Sequence, residues 1–240
     1  MSKPLVVITG ASSGIGAATA RALSAAGHPL LLLARNVEPL NALQLPHTLC
    51  EPVDVTNVTS FQAAIDKAVS QYGDVDCLIN NAGTMLLGHV ASQQPSEWKT
   101  MLDVNVLGVL NGIHCVLARM MEKQQGTIIN ISSIAGRKTF PNHAAYCASK
   151  FAVHALSENI REEVAKDKVR VVTIAPGIVD TALLSHTTSD DIKQDYEAWK
   201  ATLDSVLSPD DVAAAILFAY SQPQCVCVRE IVLATTTQEP

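Results

Sequence analysis

The chain has 240 residues, and 48% of them are hydrophobic, which is ample for a sizeable core and too much for a disordered segment. Seventeen basic against 23 acidic side chains give a formal net charge of −6. That balance argues against a surface made for nucleic acid or anionic membrane, both of which need clustered Lys and Arg. It leaves room for an anionic small ligand, because one well-placed Arg is enough for that.

Met1 runs straight into an apolar stretch, with no charged leader, apolar h-region and small-residue cleavage site, and the expectation is a cytoplasmic protein. Apolar runs such as Pro29–Ala34 and Val212–Ala219 are too short to span a bilayer, so no membrane contact is expected. The six cysteines are Cys50, Cys77, Cys115, Cys147, Cys225 and Cys227. Cys225 and Cys227 stand two apart in a β-like run, which would put them on one face, but no second pair or nearby His completes zinc-ligand spacing. Reduced thiols packed as small hydrophobes are expected, and no metal.

In chain order, the first strand is read at Leu5–Ile8 and leads into Thr9-Gly10-Ala11-Ser12-Ser13-Gly14-Ile15-Gly16. A helical pattern, Ile15–Ala26, follows at once and is closed by Gly27. A pyrophosphate needs free backbone N–H groups at a helix N-terminus, and side chains there would hold it away. Gly10 allows the tight turn, Gly14 the close approach of phosphate, and Gly16 the packing of helix on sheet. The competing reading, an ordinary βα loop, is weakened by the context: first strand, then turn, then helix, inside a βαβ unit.

The second strand, Leu30–Leu33, ends in Ala34-Arg35-Asn36. An acid about 20 residues past the glycines would hold the ribose 2′-hydroxyl of NAD, whereas an Arg accommodates a 2′-phosphate. With Ala34 and Arg35 there, and Glu38 the first acid after the glycines, NADP(H) is expected over NAD(H); the competing reading is a solvated Arg at a strand end. Next come a strand at Thr48–Pro52, a helix at Val58–Tyr72 with Phe61, Ile65, Val69 and Tyr72 on one side, and a strand at Cys77–Asn80 ending in Asn80-Asn81-Ala82-Gly83.

The fifth strand, Thr127–Ile131, ends in Asn130-Ile131-Ser132-Ser133. Tyr146-Cys147-Ala148-Ser149-Lys150 then opens a helical stretch; residues four apart share a helix face, so phenol and ammonium are neighbours. A nearby cation favours the phenolate and lowers a pKa of about 10. Tyr146 then becomes a candidate general acid for a carbonyl oxygen, a role worth about 10²–10⁴-fold in rate. The pair alone would read as surface; its company raises it. A sixth strand, Val169–Ile174, ends at Pro176-Gly177, and a polar, helix-prone excursion from Thr181 to Leu207 precedes the last strand, Val226–Leu233. Such an excursion is either a lid over a binding site or a solvated helix. His114 and His154 fall within helical patterns and read as packing residues.

Continuous apolar strands alternating with helices predict an α/β fold: a doubly wound, Rossmann-type parallel sheet of about seven strands with helices on both faces. With no linker, charge block or repeat, residues 1–240 are expected to form one dinucleotide-binding and catalytic domain, with a substrate loop at about 182–205. The glycine turn, Asn80–Gly83, Ser133 and Pro176-Gly177 then fall at one edge of the sheet, where ligands of such folds bind.

These motifs, in this order, resemble the short-chain dehydrogenase/reductase family from Thr9 to about Leu184. The resemblance implies hydride transfer with a catalytic set of Asn105, Ser133, Tyr146 and Lys150. Ser133 would hold the substrate carbonyl, Tyr146 exchange the proton, Lys150 bind the nicotinamide ribose and polarise Tyr146, and Asn105 anchor a relay water. Ser133 is preferred to Ser132 because it lies thirteen residues before the tyrosine. The implied cofactor contacts are Gly10, Ser12, Ser13, Gly14, Ile15 and Gly16 on the turn, Arg35, Asp54 and Val55 toward the adenosine, and Asn81, Ala82 and Gly83. At the nicotinamide they are Tyr146, Lys150, Pro176, Gly177, Ile178 and Thr181, the last two for the carboxamide.

Two departures stand out: residues 36–53 leave space for only a stub of helix, and the chain ends in a Thr-rich tail without the glycine-rich ending of many members. The pattern is more similar to NADP-dependent members acting on 3-hydroxy acids, serine or secondary alcohols. Met85, Leu86, Leu87, Phe140, Leu183, Leu184 and Trp199 would line a pocket for a modest hydrophobic ketone, with Arg137, Lys138, His143 and His186 as candidate carboxylate anchors. The function expected is that of an NADP(H)-dependent carbonyl reductase or alcohol dehydrogenase. The alternatives are a non-enzymatic NADP(H)-sensing protein on the same fold and a dedicated biosynthetic ketoreductase. The resemblance also implies a homodimer or homotetramer, packed through the helices carrying Asn105 and Tyr146.

Overall fold

A computed structural model of the chain describes residues 3–238. Among them are seven strands: β1 (Leu5–Thr9), β2 (Leu30–Ala34), β3 (Thr48–Pro52), β4 (Val75–Asn80), β5 (Gly126–Ile131), β6 (Val169–Pro176) and β7 (Glu230–Leu233). They form one parallel sheet in the order β3-β2-β1-β4-β5-β6-β7. The unbroken apolar runs have a simple cause. Side chains alternate across a strand, so Leu5, Val7, Leu31, Leu33 and Leu78 go to one face and Val6, Ile8, Leu30, Leu32 and Ile79 to the other. Both faces are covered, so both sets must be apolar.

The first face packs against α3 (Val58–Tyr72), α5 (Gly108–Lys123) and α6 (Ala144–Val164), through Phe61, Ile65, Ile113, Val116, Val153 and Ile160. The second packs against α1 (Gly14–Ala25), α2 (Glu38–Asn41) and α8 (Pro209–Ser221), through Ala20, Leu23, Leu40, Val212 and Ile216. The expected stub between β2 and β3 is α2, a single four-residue turn. α4 (Pro95–Leu102) passes through a π-turn, Asp103–Leu107, into α5. Together they make a continuous 29-residue helix, long and apolar enough by length and composition to cross a membrane, which the shorter runs singled out from the sequence did not reveal. Its Val109, Ile113, Val116 and Met120 are spent on the sheet, as in a core helix.

One strand is shorter than expected. Pairing of β7 with β6 starts only at Glu230, because the chain before it turns (Val226 N–H to Pro223 O, 2.8 Å) and lends its carbonyls to a side chain. That side chain is Arg170, buried in β6, whose guanidinium donates to the carbonyls of Tyr220 (3.0 Å) and Gln222 (2.8 Å) and to Thr127 Oγ1 (2.7 Å). It caps the C-terminal end of α8, where orphan carbonyls and the helix dipole both favour a cation. Cys225 and Cys227 therefore share no strand face: Cys225 is exposed and Cys227 Sγ lies 3.6 Å from Val171 O.

β1 has β2 on one side and β4 on the other, so successive crossovers leave it in opposite directions and open a crevice at the carboxyl ends of β1 and β4. The polar excursion rises beside that crevice as a 3₁₀ turn, Ala182–His186, and α7 (Asp190–Lys200), capped by Ser189. Its two ends are joined by a parallel bridge between Val179 and Leu207.

Arg170→Met keeps most of the volume but leaves two helix-end carbonyls without donors in a buried setting. A loss of about 2–3 kcal/mol in unfolding free energy is expected in urea titration, with little change in m-value.

Candidate active site

The carboxyl edge of the sheet opens on a cavity of about 1050 Å³. Its nucleotide end starts at the turn after β1. Gly10 and Gly14 have positive φ (63° and 49°), and a Cβ on Gly10 would come within 2.7 Å of Ala82 Cα. Gly16 lies just outside the cavity lining. A Cβ there would lie 2.3 Å from Gly10 O and 2.6 Å from Asn81 Nδ2, so its work is packing. Ser13 starts α1 without a side-chain cap, and Ser12, Ser13, Gly14 and Ile15 all line the cavity. An uncapped N-terminal turn with its partial positive charge is what a phosphate requires.

The loop after β4 is bound tightly to this turn. Thr9 Oγ1 accepts from the N–H groups of Asn81 and Ala82 (3.0 Å each), and Asn81 Nδ2 donates to the carbonyls of Thr9 and Gly10 (3.0 Å each). The Asn81 side chain is thus committed to holding the turn. Arg35, Asp54 and Val55 line the far end. The Asp54 carboxyl is held below the usual range by the Thr56 N–H (2.9 Å) and hydroxyl (2.8 Å), with Arg35 adding a smaller pull. Asn111, which no motif marked, donates to Val55 O (2.9 Å) and ties this end to α5.

Tyr146 and Lys150, both buried, stand in the first turns of α6, with the ammonium 5.8 Å from the phenol ring centre. Ser133 lines the cavity beside Tyr146, and its hydroxyl favours the phenolate. Lys150 Nζ donates to Ile131 O (2.9 Å). Burial pushes the Tyr146 phenol well above its ordinary value, outweighing the opposite pull of Ser133, and takes Lys150 down to about 8. The expected lowering of the phenol by the lysine is therefore not what the protein alone produces. Both charged forms lose water in the same cavity, and desolvation wins over an ammonium at this distance.

Asn105 sits on the π-turn, a local irregularity that recurs at functional sites. Both its amide hydrogens are engaged: Nδ2 donates to Thr84 O (2.9 Å) and Ser149 Oγ (3.0 Å), while Oδ1 accepts from Thr84 N–H (2.8 Å). The side chain fixes the loop after β4 to α6. Ser132 is structural as expected, with Oγ donating to Lys150 O (3.1 Å). His154 is more than packing: it contacts Ser132 (2.9 Å) and Glu230 (3.0 Å), while His114 is exposed.

Pro176, Gly177, Ile178 and Thr181 line the nicotinamide end. Ile178, however, has no main-chain group to offer. Its N–H goes to Gln238 Oε1 (3.1 Å) and its C=O accepts from Leu207 N–H (2.9 Å). In the bridge with Leu207, alternation turns the N–H and C=O of Val179 the other way, and neither has a partner among the described residues. Val179 also lines the cavity, so the free donor–acceptor pair belongs to Val179, one residue beyond the expected position. The alternation of strand hydrogen bonding was the available signal.

At the substrate end, Met85, Leu87, Phe140, Leu183, Leu184 and Trp199 line the cavity as expected, and Leu86 does not. Tyr196 was missed, although Ile192, Tyr196 and Trp199 form a helical stripe on α7 that faces the cavity. Tyr196 stacks edge-on to Trp199 (5.5 Å) and lies 6.3 Å from His143, which in turn is 6.2 Å from Tyr146. Of the carboxylate anchors, Arg137 is paired with Glu230 (3.5 Å) and does not line the cavity. Burial lowers His143, whose Nδ1–H donates to Pro141 O (2.6 Å); burial and Arg35 lower His186, which contacts Thr84 (3.2 Å). Lys138 alone of the four brings a cation to this end, 5.4 Å from the Phe140 ring centre.

The chain is 39% identical over 241 residues to an uncharacterized oxidoreductase of Staphylococcus saprophyticus, covering 98% of this chain and 96% of the relative. An uncharacterized oxidoreductase of Listeria monocytogenes is 36% identical over 242 residues, covering 98% and 97%. Among solved structures, a serine dehydrogenase in its closed form with NADP+ superposes with a TM-score of 0.91 at 28% identity, covering 98% of this chain and 96% of that one. An alcohol dehydrogenase of the archaeon Thermococcus sibiricus, complexed with 5-hydroxy-NADP, gives 0.85 at 28% identity, with 99% of each chain covered. The model of the short chain dehydrogenase family matches residues 4–192, and with the parallel sheet and the tyrosine–lysine helix beside its glycine turn, the chain belongs to that family.

Proposed function

We propose that this chain is an NADP(H)-dependent oxidoreductase that interconverts a ketone and a secondary alcohol or 3-hydroxy acid. The observation that carries the reading is the buried Tyr146 phenol, beside Ser133 and backed by Lys150, in the same cavity as the uncapped N-terminus of α1. The turn from Gly10 to Ile15 fits a pyrophosphate, Arg35 fits a 2′-phosphate, and the main chain of Val179 offers the side-by-side donor and acceptor that a primary carboxamide needs. When bound, the cofactor supplies or accepts the hydride. Ser133 and Tyr146 would hold the substrate oxygen, and Tyr146 would give it a proton in reduction or take one in oxidation. Lys150 would replace lost solvent around the phenol, and Asn105 would keep the loop after β4 and α6 in register.

The apolar lining favours a modest hydrophobic ketone. With His143 and His186 kept neutral and Arg137 engaged elsewhere, a carboxylate would depend on Lys138. Exposed Leu107 at the end of the π-turn, Leu110 on α5 and Phe151 on α6 support assembly of copies through these helices.

NADPH oxidation measured against a panel of apolar ketones tests the reading; tight binding with no turnover in either direction would instead favour a sensing protein. Tyr146→Phe should lower kcat by about 10²–10⁴-fold and leave NADPH affinity nearly unchanged. Arg35→Asp should move the kcat/KM ratio from NADP(H) toward NAD(H), since it brings a negative charge to the 2′-phosphate. Because burial holds the phenol protonated, reduction should be flat through neutrality and fall above about pH 8, where Lys150 loses its charge. Oxidation, which needs the phenolate, should rise with pH from 7 to 9; kcat/KM profiles in both directions check the signs.

A further inference from the structure

The Thr-rich segment after β7 has no part in the family motifs, yet it returns to the cavity. Gln238 N–H closes a turn onto Thr235 O (3.0 Å), and Thr237 and Gln238 both line the cavity wall. Gln238 is only 7% exposed, unusual for a glutamine in such a segment. Its Oε1 accepts from Ile178 N–H at 3.1 Å. The reason for glycine at position 177 is the same contact. Gly177 does not have a positive φ, but a Cβ there would lie 2.2 Å from Gln238 Oε1, so the missing side chain is the space the glutamine amide fills. Gly177 N–H meanwhile donates to Leu233 O (2.6 Å) at the end of β7.

We infer that Gln238 is a positioning residue for the nicotinamide end of the site: by fixing Ile178 from behind, it holds the main-chain edge of Val179 at one angle and so decides which face of the ring meets the substrate. Ile178 is held on its N–H by Gln238 and on its C=O by Leu207, from two segments distant in sequence. Among the described residues, the N–H and C=O of Val179, the next residue, have no hydrogen-bond partner of their own. A carboxamide docked on that edge inherits its orientation, and a misplacement of about 1 Å is enough to change hydride transfer greatly. The inference rests on the proposed function, since it assigns a task toward the same cofactor.

The test compares the full chain with Gln238→Leu, which keeps bulk but has no acceptor, and Gln238→Glu, which keeps one. Three readouts are taken: melting temperature without ligand, NADPH affinity from its fluorescence, and the face of transfer with 4R- and 4S-deuterated NADPH and a reducible ketone. Gln238→Leu is expected to weaken NADPH binding on the order of tenfold and to let deuterium transfer from the minor face become measurable, with Gln238→Glu largely restoring both. Unchanged affinity and a single face of transfer in Gln238→Leu would overturn the inference alone. So would a fall in melting temperature with both cofactor readouts intact, which would make the residue merely structural. If the unmutated chain bound no NADPH at all, the proposed function would fail first and take the inference with it.

Discussion

The buried hydroxyl of Thr9 accepts two N–H groups from the loop after β4, and the site depends on the closeness that this bond enforces. It brings the end of β1 and the end of β4 together at the point where the sheet reverses direction, close enough that Gly10 has no room for a side chain beside Ala82. Asn81 reaches back across the same gap to the carbonyls of the turn. The turn is therefore shaped by its neighbour in space as much as by its own glycines, and the first amides of α1 face the cavity because both loops are held this way. From here Asn105 carries the connection onward, from Thr84 to Ser149 and so to the helix that presents Tyr146 and Lys150. Nucleotide end and reacting end belong to one hydrogen-bonded frame.

Much of this was legible in the amino-acid order. Strand positions followed from apolar runs, because both faces of a parallel sheet are buried, and the stub α2 followed from the short spacing between Ala34 and Thr48. The glycines, Ser133, Tyr146 and Lys150 could be read because each is a short-range pattern tied to a strand end or a helix turn. What escaped were contacts made across long separations. Arg170 caps the end of α8 by taking carbonyls some fifty residues away, and nothing near it in the chain announces this. Val179 was displaced by one residue in the reading because its role comes from a bridge to Leu207, and Gln238 was invisible because its partner lies 60 positions earlier. Charge balance was misjudged for a related reason: the lysine near Tyr146 was visible, but not the desolvation that outweighs it.

That desolvation has chemical value. A phenol held protonated and a lysine brought near neutrality are a poor arrangement for an empty cavity and a useful one for a cavity about to receive charge. Groups whose affinity for protons is set by burial respond strongly to whatever enters beside them, because little water is present to screen it. The neutral histidines at the rim have the same origin and leave the substrate end mainly apolar. One physical term, loss of water, thus tunes the proton-handling group and selects for uncharged substrates.

The bridge between Val179 and Leu207 has a consequence beyond the site itself. It fastens both ends of the long excursion at neighbouring points on the scaffold, so the intervening stretch is anchored whatever its length or composition. Doubling such a loop costs only about 0.6 kcal/mol in closure entropy. Ile192, Tyr196 and Trp199 on α7 could then be exchanged while buried Thr187 keeps the arc tied to the loop after β4 through Leu87 N–H (3.1 Å). The side chains of α7 that face the cavity are thus the place where substrate preference can vary, while Thr187 and Leu184 hold the arc against the loop after β4 and the Tyr146 cluster.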